Sequence, residues 1–198
     1  MKIRPWVVAL TLTGASASGA LHADDLDLDV ATAQARGWSA QLLQQTGAAL
    51  KKELAASGPE GAIGVCKELA PEIAGAISRT HGVRVARVSL KVRNAVLGHP
   101  DAWEQSVLAD FDRRAAAGEK PDGLERAEIV SEPAGRYFRY MKAIPVQPMC
   151  LACHGAPEAL STSISARLAA EYPKDRATGY VTGQLRGAVT VKQPLGSP

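Results

Sequence analysis

Cysteine, aromatic residues, net charge and long apolar runs are all scarce in this chain. Its 198 residues contain three cysteines, and only 5% are aromatic. An odd cysteine count cannot be absorbed by internal disulfides, and a chain this long can bury roughly 70% of its unfolded surface without covalent staples. Each cysteine therefore needs its own explanation. Lys plus Arg number 23 against 20 Asp plus Glu, a formal charge of +3, and no run exceeds two basic residues. That excludes the clustered basic face needed to hold nucleic acid. Glycine and proline, at 18 and 12, are too sparse for a collagenous or disordered chain. The length suits one domain.

No segment reaches the ~20 apolar residues that a membrane span requires, so stable membrane insertion is not expected. The longest candidate lies at the start, where Lys2 and Arg4 precede an apolar stretch from Trp6 to about Leu12 and small residues from Gly14 to Ala20. This is the layout of a secretory signal peptide, cut after Ala20 or Ala23. The expected organisation is a signal peptide over 1–23 and a single domain over 24–198, with a periplasmic location. Loss of Lys2 and Arg4 leaves 21 basic residues against 20 acidic.

Residues 26–56 are rich in Ala, Leu, Gln and Lys, with Leu42, Leu43, Leu50 and Leu54 apolar, and read as a long amphipathic helix. Gly58 and Pro59 interrupt it, and a second helix starts at Pro59. In that helix Ile63, Cys66, Ala70, Ile73, Ala74 and Ile77 recur at helical spacing and place Cys66 on the buried face. Pro71 predicts a kink between Lys67 and Pro71. Val83–Val92 reads as a strand whose alternation slips phase, accounted for by a bulge near Ala86 and Arg87. Asp101 caps a helix reaching Ala117, with Trp103, Val107, Leu108 and Phe111 on one side. Strands are expected at Arg126–Ser131, Arg136–Ile144 and Gln184–Val191. Helices gathered early and strands mostly later indicate an α+β fold with an antiparallel sheet.

The sequence Cys150-Leu151-Ala152-Cys153-His154 is a c-type haem attachment motif. Two intervening residues let both thiols reach the two vinyl groups of one haem, and the adjoining imidazole falls beneath the iron. One covalent haem c is the expected cofactor, with His154 as an iron ligand. Thioredoxin-like, zinc and simple disulfide readings suit the segment less well, because Pro145, Pro148 and Pro157 make it a turn and no further ligand pair lies nearby. For the opposite iron position the chain offers Cys66, His81, His99, Met141 and Met149. Met149 adjoins Cys150 and cannot reach the far face. His99 sits in a Gly-His-Pro turn, and His81 suits the C-terminal dipole of its helix. Cys66 is either a ligand or a small buried hydrophobe. Arg93 and Arg139 are candidates for the haem propionates, and Tyr140 lies on a strand face that can line the pocket.

The stretch Ala62-Ile63-Gly64-Val65-Cys66-Lys67-Glu68-Leu69-Ala70-Pro71 resembles the first motif of the Tll-like haem c domain family. Lys91-Val92-Arg93-Asn94, Pro100-Asp101-Ala102-Trp103-Glu104, Tyr140-Met141-Lys142, Cys150 to Gly155, Tyr172-Pro173 with Asp175, Gly179-Tyr180 and Arg186-Gly187-Ala188 follow in the family's order. Ala95 departs from it, standing where the family tends to have proline. The resemblance implies a PAS-like fold with long N-terminal helices around one covalent haem, and His154 and Cys66 as axial ligands. It further implies a non-enzymatic redox or ligand sensor, or signalling input module, that works through a separate redox or signalling partner. The alternative is a small periplasmic electron-transfer cytochrome. In either case the cytochrome c maturation machinery attaches the haem.

Overall fold

The computed structural model describes residues 27–195; the expected signal peptide lies outside them. Helix α1 (Leu28–Gly64) opens at an Asp27 cap, whose carboxylate accepts from Asp29 N (2.9 Å) and Val30 N (3.1 Å). It buries Ala31, Thr32, Ala35, Ser39, Leu42 and Thr46. Leu42 is the one expected leucine that is fully enclosed, because α1 lies close enough to the sheet to pack through small side chains. The break expected at Gly58 is present: its φ of 66° and ψ of −172° are not helical, and Pro59 follows.

Where a kink was expected before Pro71, the chain forms a π turn, Val65–Leu69, and then α2 (Ala70–His81). Ala70 N–H reaches back five residues to Val65 O. The wider turn advances the side chains in phase, leaving Cys66 half-buried where helical periodicity alone would enclose it.

Four antiparallel strands, β1 (Arg84–Val88), β2 (Glu125–Glu132), β3 (Gly135–Pro145) and β4 (Leu185–Pro194), form one sheet in the order β1-β4-β3-β2. With the helices this makes the α+β fold expected from the sequence. One face packs on α1 and α2 through Val85, Phe138, Tyr140, Val189 and Val191. The other packs through Val88, Met141, Ala143 and Ala188 on Val107, Leu108 and Phe111 of α3 (Ala102–Ala116). That two-sided burial explains the phase slip in β1. Val85 and Val88 face opposite layers, and the pairing of Arg84–Val88 with Lys192–Ala188 runs without a bulge. β1 also ends at Val88, four residues short of the expected limit.

The irregularity lies instead on β4. Ile144 pairs with Gly187 but Pro145 pairs with Leu185, so Arg186 is an extra residue on its strand. Gly187 makes this possible: its φ is 156°, and a Cβ there would sit 2.4 Å from Val88 O. Between β3 and β4 run a short helix α4 (Leu151–His154) and a longer α5 (Thr162–Glu171), capped by Ser161. No helix among the described residues is long and apolar enough to cross a membrane.

Candidate functional site

The site forms at the end of the sheet where β1 and β3 stop and β4 begins. Its floor is the turn Pro148–Cys150 followed by α4, which presents Cys150, Cys153 and His154 within five residues. Backbone bonds tie this segment to the later loop: Gly179 N–H donates to Gly155 O (2.8 Å) and Tyr180 N–H to His154 O (3.0 Å). Cys153 packs with Ile63, Ile164, Leu168 and Tyr172, so the end of α1 and the thiol turn share one apolar cluster. All three cysteines are free thiols and half-buried.

His154 has one ring nitrogen committed. Nδ1 lies 2.6 Å from Ala177 O, and because a carbonyl can only accept, Nδ1 carries the proton and donates. Nε2 is then the nitrogen with the lone pair. Burial, with help from the cations of Arg186, Arg93 and Arg87, pushes the imidazole pKa down to about 2. The ring is therefore neutral at any physiological pH, the state in which imidazole binds a metal. Tyr180 stands edge-on to it, with ring centroids 6.2 Å apart.

Cys66 approaches from the π turn. Burial raises the pKa of the Cys153 thiol, which feels the cation of Arg93 and the thiols of Cys66 and Cys150. Burial likewise pushes the Tyr172 phenol up to about 12, with Cys66 adding to the effect. The Cys66 carbonyl is a consequence of Pro71. Ala70 N–H is given to Val65 O, and Pro71 has no N–H to supply to Cys66 O. Arg87 Nη2, on the neighbouring strand β1, faces that oxygen at 3.5 Å.

Of the residues picked from sequence, Cys66, Cys150, Cys153, His154 and Arg93 are brought together. Arg93 holds protein atoms: its Nε donates to Asp175 Oδ2 (2.9 Å), and one Nη2 donates to both Cys153 O (2.6 Å) and Ala177 O (3.1 Å). It thus clamps the carbonyl that orients His154 to the turn that carries Cys153.

Arg139 and Tyr140 lie elsewhere, because strand alternation sends them to opposite layers. Arg139 is sealed under α3, bonded to Glu132 (2.5 Å) and Asp101 (2.7 Å) and stacked on Trp103. Tyr140 is buried beneath α1 and donates to Glu125 Oε2 (2.9 Å), which also pairs with Arg36. Among the other candidate ligands, Met141 is enclosed under α3, His99 is exposed, and His81 stacks on Trp38 at 5.0 Å.

Residue-level reasoning missed Arg87, Asp175, Ala177 and the part played by Arg186. The Asp175, Gly179-Tyr180 and Arg186-Gly187 matches already pointed to the loop before β4 and to the start of β4.

The geometry can be set beside known proteins. The family described as Tll0287-like matches residues 22–194. The chain belongs to the Tll0287-like family. A solved structure titled as the crystal structure of the cyanobacterial heme-protein Tll0287 aligns with a TM-score of 0.58 and 26% identity, covering 86% of this chain and 96% of that one. No curated protein matches the chain.

Proposed function

We propose that this chain is an exported, mono-haem c-type protein that senses redox state or a ligand and has no catalytic activity of its own. One observation carries the reading: His154 donates its Nδ1 proton to Ala177 O and keeps Nε2 for a metal, in a turn that also supplies two free thiols. The donor set fits a haem. Cys150 and Cys153 would hold it by thioethers, and His154 and Cys66 would be its axial ligands, an arrangement supported by the shared apolar cluster of Ile63 and Cys153. The structural relative's title names a heme-protein.

A bound haem supplies a one-electron couple, and its reduced iron holds a thiolate less firmly. Everything else in the proposal concerns the protein. His154 and Cys66, if both held the iron, would leave it no position open to substrate. Cys66 rides on a π turn whose carbonyl lacks a helical N–H, held by Arg87 at 3.5 Å. Such a turn can relax toward regular helix when its thiol is released, which makes residues 60–75 the two-state element that a sensor needs. A separate protein partner would read that movement.

Extraction in acidified organic solvent tests attachment. Haem is expected to stay with the wild-type chain and to leave the Cys150→Ala/Cys153→Ala variant. Amide exchange over residues 60–75 then separates the two uses of the haem. Faster exchange on reduction is expected for a sensor, and equal exchange in both oxidation states would instead favour the periplasmic electron carrier.

A further inference from the structure

The surroundings of His154 carry more positive charge than the protein neutralises. Arg93, Arg87 and Arg186 all act on the imidazole. Asp175 pairs with Arg93. Among the described residues neither Arg87 nor Arg186 makes an ion pair with a carboxylate.

Arg186 is the sharper case. As the extra residue on β4 it is re-aimed by the bulge, and Gly187 lets its strand press against Val88. Its Nη1 donates to Ser89 Oγ (3.0 Å) and reaches toward Lys91 O (3.4 Å), while Nε faces His154 Nε2 at 3.4 Å. A guanidinium stays charged in proteins, so a half-buried one with no carboxylate partner has a free charge to offer an anion. It also stands at the nitrogen that a metal would take. Arg87, on β1, has only the long contact to Cys66 O.

We propose that Arg186 and Arg87 receive the two carboxylates of the porphyrin, Arg186 giving up His154 Nε2 as it does so. This rests on the haem reading and deepens it. Two unpaired guanidiniums beside the ligand turn match a dianion in charge, and each can bind a carboxylate through two parallel N–H groups. Arg93 is already paired with Asp175, and Arg139 is sealed under α3 with Glu132 and Asp101, so neither offers an unpaired cation to the site.

The test uses the full chain with Cys150→Ala and Cys153→Ala, so that porphyrin binding is reversible. Titration with iron protoporphyrin IX and with its dimethyl ester should show at least a tenfold preference for the diacid. Arg186→Leu and Arg87→Leu should each erode that preference several-fold, Arg186→Lys should retain most of it, and the double leucine variant should bind both porphyrins about equally. A preference that is absent, or unchanged in the leucine variants, overturns the assignment. Should a leucine variant fail to fold, the covalently loaded chain with Arg186→Gln serves. Its reduction potential should fall below wild type, because a cation beside the haem disfavours the ferric form, and Arg186→Lys should restore it; equal potentials overturn the assignment. Failure of the wild-type chain to carry any covalent porphyrin would overturn the haem reading itself, whereas a loaded chain whose discrimination ignores both arginines defeats this inference alone.

Discussion

Replacing Glu104 with alanine should cost about 3–5 kcal/mol of folding stability, the usual consequence of breaking a buried charge network from one side. The Glu104 side chain is 0% exposed. Its Oε2 accepts Asp101 N–H (2.8 Å), while Asp101 Oδ1 accepts Glu104 N–H (2.9 Å), completing a capping box at the start of α3. Its Oε1 accepts from Arg84 Nη1 (2.9 Å) and Thr190 Oγ1 (2.8 Å), with Arg139 Nη2 at 3.4 Å. One carboxylate therefore joins the cap of α3 to β1, β3 and β4. Removing it leaves Thr190 Oγ1 and Asp101 N–H without their acceptor inside the layer and takes one of three carboxylates from the enclosed Arg139, whose side chain is 1% exposed and whose Nε already lacks a partner. Urea denaturation of the alanine and glutamine variants measures the effect. Glutamine, which keeps the shape and an acceptor at Oε1, should cost clearly less, and equal costs would show that the lost charge alone sets the effect at this position.

Arg93→Met should have a comparable effect, concentrated at the site. Arg93 is 7% exposed and is the shared donor to Asp175, Cys153 and Ala177. Methionine fills much of the volume but donates nothing, so it deprives a partly enclosed carboxylate and two carbonyls of their shared charged donor, at about 3–5 kcal/mol. Because Ala177 O orients His154, the loss should spread to the ligand turn. Amide exchange over residues 150–180 should quicken by two orders of magnitude or more, while exchange in β2 stays within a few-fold of wild type. A uniform change across the sheet would mean that Arg93 supports the fold as a whole rather than the turn.

The parts of this fold that were legible in the sequence are those written in large apolar residues and in caps. Asp101 marked the start of α3 as its cap, and the segments around Ile129, Phe138 and Val189 were rich enough in β-branched and aromatic residues to be recognised as strands. The inner face of α1 was harder to read, because Ala31, Ala35, Ser39 and Thr46 carry little hydrophobic signal although they are the residues enclosed. Val85 and Val88 misled for a different reason. A strand covered on both faces does not alternate, and a bulge was inferred on β1 when the bulge belongs to β4 at Arg186.

At the site, local spacing identified Cys150, Cys153 and His154, since the attachment motif is contiguous. Ala177 and Arg186 reach His154 across 23 and 32 residues, and Asp175 reaches Arg93 across 82, separations that no local pattern encodes. Arg93 was chosen for its charge and found to serve a different purpose. Its three acceptors are protein groups, a distinction that only their positions reveal.

The central claim is that His154 and Cys66 oppose one another across a covalently held haem. Ferric EPR and optical spectra of the loaded wild-type chain, compared with Cys66→Ala, test it most directly. The account predicts a low-spin, thiolate-ligated signature in wild type, replaced in Cys66→Ala by one without sulfur ligation, with the haem still resisting extraction in both. Identical ferric spectra in the two proteins would contradict it.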